Sequence, residues 1–137
     1  MMELTLGKAL GAGLRQAMRD DEKVVLLGED IGKLGGVFRI TEHLQRDFGE
    51  QRVLDTPLAE SALVGTAIGL AMAGFRPVVE IQFDGFVFPA FDQITTQLAK
   101  LTNRHEGSLR LPVVIRIPYG GHIGAVEHHQ ESPEAYF

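Results

Sequence analysis

The chain has 137 residues, of which 45% are hydrophobic and 23% are charged, a balance typical of a folded globular domain. Its net charge is −5 and its 13 lysines and arginines are dispersed along the sequence, which argues against a nucleic-acid or membrane-surface partner. Because there is no cysteine, the sequence excludes disulfides, thiolate metal sites and a cysteine nucleophile.

Helical and strand patterns alternate along the chain. Thr5 can cap a helix over about residues 6–19, where apolar side chains recur at helical spacing. A second amphipathic pattern predicts a helix at 88–103. Short aliphatic runs predict four strands, at 23–28, 52–56, 76–83 and 111–118. Since such alternation favours parallel strands joined by helical crossovers, we expect one α/β domain with a mostly parallel sheet flanked by helices.

The segment DTPLAESALVGTAIGLAMAG, residues 55–74, places the Glu60 carboxylate at the head of an apolar helix. Thr56 as the cap and Pro57 at the first helical position predict where this helix begins. One interpretation is that Glu60 only complements the helix dipole, which contributes about 0.3–1 kcal/mol. The other interpretation follows from the apolar surroundings: we expect the helix to be covered on most sides, and a desolvated carboxylate is suited to share a proton.

Four stretches of the sequence together resemble a known family. They are, in chain order, GEDIGKLGGVFRIT, RVLDTPLAE, AGFRPVVEIQFDGFVFPAFDQI and SPEAYF. The chain resembles the β subunit of thiamine-diphosphate-dependent 2-oxo acid dehydrogenases, most closely the branched-chain type, with pyruvate and acetoin dehydrogenase β subunits as near relatives. The resemblance implies a transketolase-like pyrimidine-binding domain over residues 1–137. Because β subunits of this family continue past SPEAYF, it also implies that this domain is incomplete at its C-terminus and that a C-terminal domain is absent.

The resemblance implies a set of cofactor-binding residues. Glu60 matches the glutamate that hydrogen-bonds a ring nitrogen of the aminopyrimidine and favours the imino tautomer, which prepares the thiazolium carbon for attack on the substrate. Leu58 and Gln82 match residues that contact the same ring, and Phe86 matches the aromatic face against it. Glu29 matches an acidic position near the interface between two sites, and the alternative is a solvated loop carboxylate.

The resemblance also implies a catalytic histidine. His129 matches the family residue that orients the reaction intermediate and serves acyl transfer to a lipoyl group. The family usually has His-Ser-Gln before SPEA, whereas this chain has His129-Gln130-Glu131 with His128 alongside, so the register of the catalytic imidazole stays open.

Two other site types fit the sequence less well. A metal-dependent hydrolase could use the imidazoles and carboxylates of residues 122–131, but H-E-x-x-H spacing is absent, and we assign no metal ligand to this chain. A dinucleotide site would need G-x-G-x-x-G after a strand, whereas GAG at 11–13 lies within the first predicted helix.

The resemblance implies partners as well as an activity. The chain lacks the GDG…N segment that binds magnesium and diphosphate in this family, so we expect thiamine diphosphate to be shared with an α subunit that binds the magnesium, in an assembly of two α and two β chains. A lipoyl-bearing acyltransferase is the other expected partner. The implied activity is oxidative decarboxylation of a 2-oxo acid. The first expectation is a branched-chain 2-oxo acid as the substrate, and the alternative is a pyruvate or acetoin dehydrogenase β subunit.

A different class of function is a non-catalytic interaction module that is inactive alone. The N-terminus shows neither a secretory signal nor a transit peptide, and the charge-free run at 61–75 is shorter than the roughly 20 residues that cross a bilayer. We therefore expect a cytoplasmic location, or the mitochondrial matrix in a eukaryote.

Overall fold

A computed structural model describes residues 3–137 of the chain. Its sheet contains the strands β1 (Val24–Gly28), β2 (Val53–Asp55), β3 (Arg76–Glu80) and β4 (Val114–Arg116). Neighbouring strands pair in parallel in the order β2-β1-β3-β4. The predicted α/β class and the parallel sheet are therefore confirmed, with each strand lying inside the run that predicted it.

Helices flank this sheet. They are α1 (Leu6–Asp20), α2 (Leu44–Phe48), α3 (Glu60–Met72), α4 (Val87–Asp92) and α5 (Ala99–Arg104). Thr5 caps α1 as predicted, because its hydroxyl accepts a hydrogen bond from the backbone N–H of Lys8 at 3.4 Å. A π-helical segment, Gln93–Leu98, joins α4 to α5, so the helix predicted at 88–103 is present with one widened stretch. Three 3₁₀ turns complete the described elements, at Asp84–Phe86, Glu127–His129 and Pro133–Tyr136.

The central strand β1 is buried on both faces, which is why it is continuously apolar rather than alternating. Val25 and Leu27 of β1 belong to the core formed with α3. Val24 and Leu26, which alternate with them, belong to the core formed with α1 and α2. Side chains at successive strand positions point to opposite faces, so one strand supports both cores.

Helix α3 begins later than the sequence predicted. The Thr56 backbone N–H donates to the carbonyl of Gly28 at 2.9 Å, which extends the pairing of β2 with β1 and keeps Thr56 out of the capping position. The helix starts at Glu60, and its N-cap residue, Ala59, has no side-chain hydrogen bond to offer. The prediction of Thr56 as cap and Pro57 as first helical residue was therefore wrong.

The expectation that α3 is covered on most sides was also wrong. One face of the helix packs into the core through Leu63, Val64, Ala67, Ile68 and Ala71. The opposite face is exposed and consists mostly of small residues, namely Ser61, Ala62, Thr66, Gly69 and Met72. A face of this kind lets a second polypeptide approach the helix backbone closely. No helix within residues 3–137 is long and apolar enough to cross a membrane.

Candidate active site

The carboxyl ends of three strands carry four of the predicted site residues. Glu29 follows β1, Leu58 and Glu60 follow β2, and Gln82 follows β3. From β1 the chain continues towards one edge of the sheet, where β2 lies, and from β3 it continues towards the other edge, where β4 lies. The strand order therefore changes direction between β1 and β3. Open parallel sheets hold ligands at this switch point, which means that the topology alone gathers these residues.

Glu60 is buried in spite of its place at the start of a helix. Only 6% of its surface is exposed, while Ser61 and Ala62 beside it are exposed. Its position in the first turn of α3 sets the carboxylate near the positive end of the helix dipole. Glu60 is therefore a buried carboxylate at the start of a helix, not a solvated one.

A groove of about 960 Å³ lies beside Glu60, between the start of α3 and the region of α4. Leu58, Glu60 and Phe86 line it together with small residues of the exposed face of α3 and with Pro89 and Gln93. Ligand sites commonly occupy 300–1,000 Å³ and combine apolar walls with a few polar groups. The groove thus offers one carboxylate and one aromatic ring to a planar, partly polar molecule.

Glu29 lies close enough to Glu60 for their charges to interact. Burial raises the pKa of the Glu29 carboxyl above its usual value, and the negative charges of Asp30 and Glu60 raise it further. Its Oε2 atom is buried without a hydrogen-bond partner among residues 3–137. These observations disagree with the alternative of a solvated loop carboxylate, because a solvated group would have neither property.

Gln82 is tied to the loop after β1 rather than directed at the groove. Its side-chain amide donates to the Oδ2 of Asp30 at 3.1 Å, and Asp30 itself adopts a left-handed backbone conformation with φ of 58°. The hydrogen bond links the loops that follow β1 and β3. Gln82 is not among the residues that line the groove with Leu58, Glu60 and Phe86.

His129 belongs to an aromatic cluster that reaches the groove. Its ring centroid is 4.1 Å from that of Phe83 and 5.3 Å from that of Phe86, and Phe83 and Phe86 contact each other edge to face at 5.9 Å. His128 touches this cluster through the ring of His129, at 4.1 Å. Of the two candidate imidazoles, His129 is therefore the one in contact with a residue of the groove.

Within residues 3–137, no three histidine or carboxylate side chains lie where they could hold one metal ion. The imidazoles and carboxylates of residues 122–131 accordingly do not converge, although the hydrolase alternative would require it. His122 has a left-handed backbone with φ of 74°, whereas His128 and His129 lie within the 3₁₀ turn at 127–129.

Three residues near the site escaped the sequence analysis: Phe83, Asp84 and Gly85. Phe83 stands among several phenylalanines in the stretch FDGFVFPAF, and nothing in the sequence distinguishes it from them. Asp84, at 2% exposed, is a buried carboxylate in the apolar run FDGFVF, the same signal that drew attention to Glu60. Gly85 owes its importance to a contact with His128, and no local pattern can indicate a contact between segments so distant in the chain.

Comparisons with known proteins identify the family of this chain. The family model of the transketolase pyrimidine-binding domain matches residues 2–137. A pyruvate dehydrogenase E1 component subunit beta from Leifsonia xyli subsp. xyli is 72% identical over 137 residues, which are 100% of this chain and 41% of that protein. A 3-methyl-2-oxobutanoate dehydrogenase subunit beta from Mycobacterium tuberculosis is 54% identical over 134 residues, 98% of this chain and 38% of that protein.

A third relative is a pyruvate dehydrogenase E1 component subunit beta from Acholeplasma laidlawii. It is 50% identical over 137 residues, which are 100% of this chain and 42% of that protein. The chain thus spans about two fifths of the length of these curated relatives.

Proposed function

Because the chain belongs to the family of transketolase pyrimidine-binding domains, we propose that it is the pyrimidine-binding part of the β subunit of a thiamine-diphosphate-dependent 2-oxo acid dehydrogenase. The single observation that carries the proposal is the buried carboxylate of Glu60 beside the ring of Phe86 in one groove. A carboxylate that shares a hydrogen with a ring nitrogen, and an aromatic face beside it, suit an aminopyrimidine.

The side chains present fit the pyrimidine half of the cofactor. Glu60 would hold one ring nitrogen, Phe86 would contact the ring face, and Leu58 would help to exclude water. When bound, thiamine diphosphate supplies the nucleophilic thiazolium carbon and the electron sink for decarboxylation. Glu29 lies near enough to Glu60 for the negative charge of Glu60 to help raise the pKa of the Glu29 carboxyl. Gln82 fixes the loop after β1 through Asp30.

His129 would act as the proton donor and acceptor for acyl transfer to a lipoyl group. Imidazole suits this task because its ordinary pKa lies near neutral pH. The contacts with Phe83 and Phe86 hold the ring beside the groove, where the reacting atoms of a bound substrate would lie.

We propose that an α subunit packs on the exposed face of α3. The groove opens along Ala62, Gly65 and Thr66 of this face, so a chain packed there would complete the site. We propose that this α subunit supplies the magnesium and diphosphate ligands in an assembly of two α and two β chains. A lipoyl-bearing acyltransferase would then accept the acyl group.

The substrate is a small aliphatic 2-oxo acid. The relative at 72% identity is named for pyruvate and the one at 54% identity for 3-methyl-2-oxobutanoate, so pyruvate is the first candidate and a branched-chain acid the second. Pockets that differ by one methylene discriminate by only about 1–3 kcal/mol, so both acids belong in the assay.

The test is co-expression of the chain with a candidate α subunit, followed by titration of thiamine diphosphate and by decarboxylation assays with both acids. We expect cofactor-dependent turnover from the pair and none from the chain alone. Glu60→Gln should reduce turnover by about 10²–10⁴-fold while the subunits still assemble. Glu22→Gln, the same change at an exposed position far from the groove, is the matched control.

Two outcomes would contradict the proposal. Near-normal turnover of Glu60→Gln would remove this residue from the mechanism, and turnover by the chain alone would contradict a site shared between subunits. An assembled pair that binds no cofactor would instead favour the non-catalytic interaction module.

A further inference from the structure

A second, much smaller cavity lies next to the aromatic cluster. Its volume is about 120 Å³, and its lining includes Phe38, Phe83, Asp84, Tyr119, Ile123 and His129. It shares no lining residue with the groove beside Glu60. The 3₁₀ turn at 84–86 and the loop at 118–123 both contribute to its lining. No pattern in the sequence predicts that these two segments lie side by side.

Two buried polar atoms belong to residues that line this cavity, and neither has a partner among residues 3–137. The first is Oδ2 of Asp84, whose other oxygen accepts a hydrogen bond from the backbone N–H of Gly85 at 2.8 Å. The second is Nδ1 of His129. Buried polar groups in native proteins are nearly always hydrogen-bonded, either to protein or to ordered water. Each of these two atoms therefore calls for a partner, and the cavity that both residues line can hold one.

The cavity is large enough and polar enough for water. A water molecule needs roughly 10–15 Å³ and two to four polar partners. Asp84 provides an acceptor at one wall and His129 provides a ring nitrogen at another. A water that donates to the Asp84 carboxylate has a lone pair left to accept a hydrogen from the imidazole.

We propose that Asp84 is a positioning residue that holds His129 in the Nδ1–H tautomer through a water molecule in this cavity. The bond made by one imidazole nitrogen determines the tautomer, and so leaves Nε2 with the lone pair that can accept a proton. The inference rests on the proposed function, because it says which nitrogen of His129 serves acyl transfer.

The packing around His129 supports a fixed ring orientation. Phe83 lies against one face of the imidazole and Phe86 meets its edge, with centroid distances of 4.1 Å and 5.3 Å. His128 packs against the imidazole as well, at 4.1 Å. A ring held by three neighbours keeps one orientation, and its Nδ1 atom is the buried nitrogen that lacks a partner among residues 3–137.

The experiment is ¹⁵N NMR of the full chain labelled with ¹⁵N-histidine, recorded above about pH 8, where an ordinary imidazole is neutral. Nitrogen chemical shifts distinguish the two tautomers, and His→Gln variants assign the five histidines. We expect His129 to be predominantly the Nδ1–H form in the wild-type chain.

The variant Asp84→Asn keeps the size of the side chain but can present a donor to the water where the carboxylate presented an acceptor. The water would then donate to Nδ1, and the ratio of the tautomers should change by about tenfold or more towards Nε2–H. Asp20→Asn, the same change on the exposed face of α1, should leave the ratio unchanged.

Either of two results would overturn the proposal: a wild-type His129 that is mainly Nε2–H, or an unchanged ratio in a folded Asp84→Asn chain. If Asp84→Asn does not fold, the wild-type spectrum alone still decides, because it reports the tautomer directly. The measurement requires no cofactor. The NMR measurement can therefore contradict the role of Asp84 while the Glu60→Gln experiment supports the proposed function. The opposite combination of results can be observed as well.

Discussion

Gly85 lies directly against the backbone of His128: a Cβ atom on residue 85 would overlap the His128 carbonyl oxygen. Real Cβ atoms do not approach an oxygen so closely, so only glycine lets the turn at 84–86 meet the turn at 127–129. This contact brings the His129 ring onto Phe83 and Phe86. One glycine thus determines where the candidate catalytic imidazole lies.

We expect Gly85→Ala to push the 127–129 turn away and to weaken the aromatic cluster. Overpacking of this kind costs typically about 1–3 kcal/mol in the free energy of unfolding, which urea titration measures. Gly13→Ala in α1 is the control, because a Cβ there meets nothing within 4 Å and alanine favours a helix interior by up to about 1 kcal/mol. Equal stabilities of Gly85→Ala and wild type would mean that the two turns are not in contact.

The two adjacent histidines should differ in their effects. His129→Ala removes the contacts with Phe83 and Phe86, each worth about 0.5–1.5 kcal/mol, and in the assembled enzyme should slow acyl transfer to lipoyl groups by about 10²–10⁴-fold. His128→Ala removes only the contact with His129 and should leave both properties close to wild type. A larger transfer defect in His128→Ala would exchange the roles of the two residues.

The sequence predicts the elements of this fold better than their ends. Alternating helical and aliphatic patterns indicated a parallel α/β sheet, and Thr5 marked the start of α1 correctly. The start of α3 was misplaced because Thr56 prefers a backbone bond to Gly28, a long-range contact, over a local cap. Helix α2 was missed because it is a single turn preceded by His43 in a left-handed conformation, too short for periodicity to reveal.

The candidate site was predictable only in part. Loops after parallel strands commonly gather ligand-binding residues, but the resemblance supplied the identities of Glu60, Leu58 and Phe86. The packing of His129 on Phe83 depends on a loop far along the chain, and no local pattern specifies which aromatic side chain it will meet. The coupling of Glu29 to Glu60 was likewise hidden, because β1 and α3 become neighbours only through the sheet.

Glu29 gives a prediction about pH. Burial and the charges of Asp30 and Glu60 raise the pKa of this carboxyl, so the folded chain holds the proton more tightly than the unfolded chain, whose value is near 4.5. The resulting stabilisation is complete below the unfolded value and is lost as the pH rises through the folded one.

Glu29→Gln cannot ionise, so it should be more stable than wild type in urea at pH 7, with the difference disappearing below about pH 4.5. Glu22→Gln, at an exposed position, should show no such dependence. A Glu29→Gln chain whose advantage is the same at both pH values would show that the carboxyl is not desolvated.

The last prediction concerns an ion pair under the glycine-rich loop at 32–36. Glu80 and Arg116 are register partners on β3 and β4, their side chains are 8% and 16% exposed, and Nη2 lies 2.7 Å from Oε2. A Cβ on Gly36 would be 3.3 Å from Oε1 of Glu80, so the pair also supports that loop.

Arg116→Met should lower the free energy of unfolding by about 3 kcal/mol, because it leaves the Glu80 carboxylate buried without its partner. Adding Glu80→Gln should restore most of the loss, since the uncompensated charge is then gone. Arg46→Met provides the contrast: Arg46 also bonds a carboxylate, Asp47 at 2.8 Å, but its side chain is 68% exposed, so its loss should change stability by less than about 1 kcal/mol. Urea titration of wild type and the three variants measures these free energies of unfolding. If Arg116→Met and Arg46→Met lowered the free energy of unfolding equally, burial would not make the Glu80–Arg116 pair more important than an exposed pair.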